Sequence, residues 1–290
     1  MPPQPIKSVQ LIRVTDSENE SRDDLLAVEE PLEIRLGYVK DGQPITKNIS
    51  VTMRTPGNDV ELSAGFLFTE GIIKSYNDIA EIAFVNIPCA ENKQNTILVT
   101  LKPGVAPALN NTDRNFYTTS SCGVCGKGSI DAIRTVGVFE RREHERDLII
   151  SADLLYGLPK ILRAHQPTFG STGGLHASAL FNKNGELLLL KEDVGRHNAL
   201  DKLIGAALQK GWLPLHDKIL LLSGRASFEL VQKAAMAGIQ ILAAVGAPSS
   251  LAVELAEEFD ITLAGFLRDR RFNIYTAASR IALSVNETTY

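Results

Sequence analysis

The chain has 290 residues, 44% hydrophobic and 22% charged, an ordinary globular composition. Its formal charge of −4 argues against non-specific nucleic-acid binding, and no apolar run approaches the ~20 residues of a membrane-spanning helix. Met1-Pro2-Pro3-Gln4-Pro5 lacks the charged and apolar regions of a signal peptide, and Cys89, Cys122 and Cys125 are too few for a disulfide framework. A soluble protein of the reducing cytoplasm is expected, with neither nucleic acid nor membrane as partner.

In chain order, the first half reads as β-rich. Leu32–Tyr38 and Ile49–Met53 have strand character. Asn58 or Asp59 caps a helix running to Phe68, and Ile82–Val85 and Ile97–Leu101 read as a further strand pair. Residues 102–128, with Pro103, Pro107 and four glycines, read as one long loop, a length that in a compact domain usually carries function. The charged run Glu140–Asp147 suggests a boundary between a β-rich α+β domain, 1–145, and a second domain, 146–290.

The second half is more regular. Leu154–His165 is an amphipathic helix, and Ala177–Phe181 with Glu186–Lys191 flank the hairpin signal Asn182-Lys183-Asn184-Gly185. Helix His197–Gln209, strand Lys218–Leu222, helix Ser227–Ala237, strand Ile239–Val245, helix Ser249–Phe259 and strand Thr262–Leu267 follow. Strands alternating with helices predict a largely parallel sheet covered on both faces. Phe169–His176 reads as a flexible polar turn.

Chemistry concentrates first in Ser121-Cys122-Gly123-Val124-Cys125-Gly126. Two thiols at this spacing can present a nucleophile with a resolving partner, form a redox disulfide, or ligate a metal. A structural zinc site needs a second ligand pair, which is missing. Lys127 favours a thiolate by its charge.

The strand-to-helix segment Glu192–Ala199 and the later Ser223–Ser227 stand where nucleobase deaminases carry their zinc motifs. The element order resembles the cytidine deaminase-like fold, a three-layer sandwich. Ala199 replaces the catalytic Glu, however, and no cysteine occurs between Ser223 and Ser227, so zinc hydrolysis is not expected. A Ser/His/Asp hydrolase drawn from Ser171 or Ser223, His176 or His197, and Asp193 or Asp201 lacks the G-x-S-x-G elbow. His197, Ser223, Arg225, the helix start at Ser249 and the arginines after the last strand gather where parallel strands end. Helix N-termini and arginine forks there suit a phosphate-bearing ligand.

Five segments together are specific: Arg54–Gly71 (RTPGNDVELSAGFLFTEG), Ser120–Gly126 (SSCGVCG), Thr172–His176 (TGGLH), Glu192–Lys202 (EDVGRHNALDK) and Ser223–Glu229 (SGRASFE). In this order they resemble the formate dehydrogenase accessory sulfurtransferase family (FdhD/NarQ), from about residue 30 to about residue 280. The resemblance implies a sulfurtransferase that accepts sulfane sulfur from a cysteine desulfurase as a persulfide on Cys122. It then passes the sulfur to the bis(molybdopterin guanine dinucleotide) form of the molybdenum cofactor for the formate dehydrogenase apoprotein. Cys125 is the auxiliary thiol, and Phe266, Leu267, Arg268, Asp269, Arg270 and Arg271 form the cofactor-binding segment, with no metal of the protein's own. Assembly as a homodimer is expected. The alternative is a non-catalytic chaperone that binds the molybdenum cofactor and docks it to the dehydrogenase.

Overall fold

The computed structural model describes residues 4–85, 95–109, 139 and 148–283. The chain opens with a two-stranded ribbon, β1 (Ile6–Val14) and β2 (Asn19–Ala27), which pair antiparallel. A four-stranded sheet follows from β3 (Glu30–Lys40), β4 (Gln43–Arg54), β5 (Ile79–Phe84) and β6 (Thr96–Leu101), in the order β4-β3-β6-β5. Along β3, Leu32, Ile34 and Leu36 fall on one face at the strand period of two and are fully buried. They pack towards α1 (Asp59–Thr69), which connects β4 to the rest of the first half.

The second half contains β7 (Ile150–Ser151), α2 (Ala152–Ala164), α3 (Pro167–Thr172), β8 (His176–Phe181), β9 (Leu187–Asp193) and α4 (Arg196–Gln209). Then come β10 (Ile219–Leu222), α5 (Phe228–Met236), β11 (Ile241–Ala244), α6 (Ser250–Glu258), β12 (Thr262–Arg268), β13 (Arg271–Thr276) and β14 (Ile281–Ala282). Six strands make one sheet in the order β13-β12-β11-β10-β8-β9. β10, β11 and β12 run parallel, whereas β8 and β13 are antiparallel to their neighbours. The sheet is therefore mixed rather than largely parallel. Alternate residues of its strands enter two cores: Leu220, Leu222, Leu242 and Leu263 meet α4, α5 and α6, while Ile219, Leu221, Ala243 and Ala264 meet α2.

The core on the α4 side also takes in Leu36, Ile49, Val99 and Leu101 of the first sheet, so the two halves share one apolar interior. Their closest approach is α1 against α4. A Cβ on Gly65 would lie 1.9 Å from the Asp201 carbonyl oxygen, and one on Gly205 would lie 1.8 Å from that of Glu61. Only glycine at both positions lets the helix backbones touch.

Several local expectations change. Asn58 caps no helix N–H with its side chain; it sits in the left-handed region, and its amide donates to Glu61 Oε1 at 3.3 Å. The polar turn after residue 166 is partly helical: α3 starts with Pro167, and Glu192 accepts the free N–H groups of Thr168 and Phe169 at 3.2 and 2.8 Å. β13 pairs with β12 through Asp269 and Arg270, both at positive φ. That is the backbone of a primed hairpin turn without its usual Asn-Gly signature. Among the described residues, no helix is long and apolar enough to cross a membrane. Cys89, Cys122, Cys125, residues 110–128 and the run Glu140–Asp147 lie outside the described residues.

Candidate functional site

The conspicuous polar motifs divide into two groups. In the first, chemistry-bearing residues are buried and fully engaged. Asp193, at the end of β9, is 0% exposed and lies 2.6 Å from Lys202 Nζ. Its oxygens also accept from Thr55 N, Gly195 N and Asn198 Nδ2, at 3.2, 2.8 and 3.2 Å. Burial pushes the Asp193 carboxyl up, and Lys202 opposes the shift. Every neighbour that meets its oxygens is a donor, so the network is built for the carboxylate. Lys202 also donates to the Thr55 carbonyl at 2.8 Å, and Asn198 to the Met53 carbonyl at 2.7 Å. These bonds fasten Met53 and the start of the Arg54–Gly71 motif to the Glu192–Lys202 motif.

Asp201, within α4, does the same. It is buried, accepts from Thr69 Oγ1 at 2.8 Å and pairs with Lys233 Nζ at 3.0 Å, joining α1, α4 and α5. Burial opposes the charge on Lys233, but Asp201 and Glu70 outweigh it and raise its pKa. Arg54, also fully buried, binds Asp59 Oδ1 at 2.9 Å. Asp193 and Asp201 are thus structural, and neither orients a catalytic histidine.

The second group lines the edge where β9, β10, β11 and β12 end. Backbone bonds tie the loops there together: Gly246 N donates to the Gly224 carbonyl at 2.9 Å, and Phe266 N to the Gly246 carbonyl at 3.0 Å. Ala226 N donates to the Ala247 carbonyl at 3.1 Å. His176 lies against the turn after β10, where a Cβ on Gly224 would stand 3.2 Å from its Nδ1. Burial, then Arg196 and His197, push the His176 imidazole below its ordinary pKa, so it is neutral at physiological pH.

His197, in the first turn of α4, places Nε2 3.3 Å from Ser227 Oγ and 3.7 Å from Glu229 Oε2. The bond to His197 holds the Glu229 carboxyl down, to about 2, against the opposing effect of burial. Hydrogen bonds from its own backbone N–H and from Ser227 act in the same direction, so Glu229 is ionised at neutral pH. Serine and acid approach the same ring nitrogen, whereas a hydrolytic triad needs them on opposite nitrogens.

The expected ligand-binding residues are distributed as follows. Arg225 is exposed in the loop between β10 and α5, beside Gly224 and Ser227. Ser223 is partly committed, since its hydroxyl accepts from Ala177 N at 2.8 Å. Phe266 has a positive φ and an exposed side chain at the same edge. The Leu267 side chain is 0% exposed and packs into the core under α2. Arg268, Asp269, Arg270 and Arg271 are all exposed around the hairpin turn, and Arg270 turns towards α2. There its guanidinium meets Asp153 at 3.1 Å and lies over the Tyr156 ring. Sequence reasoning passed over Arg196 and Glu229. Both lie inside quoted motifs, but only the fold shows that they face His176 and His197.

Comparison with known proteins gives a consistent result. The family model described as FdhD/NarQ family matches residues 27–282. A protein named sulfur carrier protein FdhD from Streptomyces coelicolor is 50% identical over 279 residues, covering 94% of each chain. One of the same name from Sulfolobus acidocaldarius is 42% identical, covering 96% of this chain and 99% of its own. A crystal structure of a candidate formate dehydrogenase accessory protein from Desulfotalea psychrophila superimposes with a TM-score of 0.71 at 25% identity. That match covers 96% of this chain and the whole of the other.

Proposed function

Because the chain belongs to the FdhD/NarQ family, we propose that it is a sulfur carrier for formate dehydrogenase maturation. The supporting observation is its 50% identity, over nearly the whole length, to proteins named sulfur carrier. In this reading Cys122 is the carrier thiol. Its thiolate attacks the terminal sulfur of a cysteine desulfurase persulfide; a new S–S bond forms on Cys122, and the desulfurase cysteine leaves as a thiolate. Cys125 is the auxiliary thiol beside it.

The receiving substrate is the bis(molybdopterin guanine dinucleotide) cofactor, whose phosphates suit the crevice at the strand ends. Arg225, His197 and Ser223 line it, and the segment Phe266–Arg271 borders it. The mixed sheet between α4–α6 and α2 is read as a cytidine deaminase-like sandwich whose zinc-binding positions carry other residues. His197 remains, while Ala199 and Ser223–Ser227 stand where the general acid and the cysteine ligands would be. The carrier works in the cytoplasm as a homodimer, between the desulfurase and the dehydrogenase apoprotein.

The test is genetic and chemical. In a strain lacking the endogenous carrier, the wild-type chain restores formate dehydrogenase activity and Cys122→Ser does not, while folding normally. Full activity from Cys122→Ser would remove the sulfur-transfer step and leave a cofactor-binding chaperone.

A further inference from the structure

The N-terminal ribbon takes no part in the crevice. β1 and β2 pair along all their length with no shift in register, from Ile6–Ala27 to Val14–Asn19. Its tip is closed by Thr15 N, which donates to the Glu18 carbonyl at 2.9 Å, and by Glu18 N, which donates to Thr15 Oγ1 at 3.2 Å. At its base Val28 N donates to the Pro5 carbonyl at 2.9 Å, and Gly174 lies against Ala27. Because side chains alternate along a strand, each register pair falls on one face or the other. One face carries Lys7, Arg13, Glu20, Arg22 and Asp24, and Val9 and Leu11 are half-buried among these longer side chains. On the other, every residue from Ser8 to Val14 and from Asn19 to Leu25 is exposed, and Asp23 is the only charged one. Ile12 is 70% exposed there, Val14 72% and Leu25 41%.

A two-stranded ribbon is marginally stable in water on its own, and one that faced water would keep its charges on the open side. We propose that the apolar face packs against the same face of a second copy across a two-fold axis, as part of the homodimer contact. The proposal rests on the reading that the carrier is a homodimer. Charge selects the arrangement. Edge-to-edge pairing of two β1 strands about their centres would oppose Lys7 to the partner's Arg13, and pairing of two β2 strands would oppose Asp23 to the partner's Asp23. Face to face, with the axis along the strands, β1 of one copy lies over β2 of the other at the same height. Asp23 then meets the partner's Gln10, whose amide can donate to it, because Gln10 and Asp23 are register partners within each ribbon. A face with so little charge meets its own copy without like-charge repulsion, the condition that an isologous contact imposes. Ile12, Val14 and Leu25 leave water together.

Sedimentation velocity of the full chain over a dilution series tests the contact, with circular dichroism and thermal melting of each protein to check folding. Wild type sediments at twice the chain mass. Ile12→Lys/Val14→Lys, which puts two cations on the open face of each copy, weakens the dimer by about a hundredfold or more. Leu26→Lys changes a comparably exposed apolar residue on the charged face of the same ribbon, and it shifts the dissociation constant by less than about threefold. If the lysine variant does not fold, Ile12→Thr/Val14→Thr keeps the β-branched side chains and weakens the dimer by about tenfold. An unchanged dimer in the folded variant, or equal weakening by Leu26→Lys, would overturn the proposal and leave the homodimer reading intact. A monomeric wild type would overturn the homodimer reading and the contact with it. In that case a lowered melting temperature of Ile12→Lys/Val14→Lys would assign the face to another segment of the same chain.

Discussion

The clasp between the two halves and the crevice at the strand ends are made from the same residue types, often from the same motif. Within Glu192–Lys202, Asp193, Asn198, Asp201 and Lys202 belong to the clasp, while Arg196 and His197 belong to the crevice. The difference is completeness. Asp193 meets four donors, and Asp201 meets two donors from two other helices. Among the described residues, Arg196 Nε is buried with no hydrogen-bond partner, and Arg225 is exposed. A motif rich in acids, amides and lysines is therefore not by itself an active site: its satisfied groups hold the fold.

The comparison can be broken most forcefully at Lys202. Lys202→Met leaves Asp193 buried without its cation, and unfolding by denaturant should show a loss of about 3–5 kcal/mol. A loss below about 1 kcal/mol would mean that the clasp is not what joins the halves. Next is the helix crossing. Gly65→Ala puts a methyl group into the backbone of α4, where neither helix has a flexible side chain to move aside. The expected cost is about 3 kcal/mol, at the upper end for overpacking, and chemical denaturation measures it.

The smallest effect belongs to the crevice. Glu229 has its folded pKa lowered from 4.5 to about 2, so its stabilising pairing is present above pH 4.5 and lost as pH falls towards 2. Because the side chain is partly exposed, solvent screening reduces this to about 1 kcal/mol. Wild type should therefore lose slightly more stability than Glu229→Gln between pH 5 and pH 2.5, and parallel curves would show that the pair is not formed in solution.

Much of this architecture was legible in the sequence, because apolar periodicity and turn chemistry are local. The strand–helix alternation from residue 176 to 268 reappears with ends shifted by a few residues. β13 was hidden because Asp269-Arg270 adopts a primed turn without glycine. The β1–β2 ribbon was hidden because Ile12 and Val14 stay exposed, which blurs the alternation that a buried face imposes. For the site, residue type and motif pointed to His197, Ser223 and Arg225. They did not separate Asp193 from Arg196, since that distinction depends on partners more than a hundred residues away, such as Thr55.

The central claim is that this chain carries sulfur on Cys122, and mass spectrometry of the intact protein tests it most directly. After incubation with a cysteine desulfurase and cysteine, wild type should gain about 32 Da, one sulfur atom, which a thiol reductant removes. Fragmentation should place the added sulfur on Cys122, and Cys122→Ser should gain none there. An unmodified wild-type protein, or the same gain in Cys122→Ser, would contradict the account.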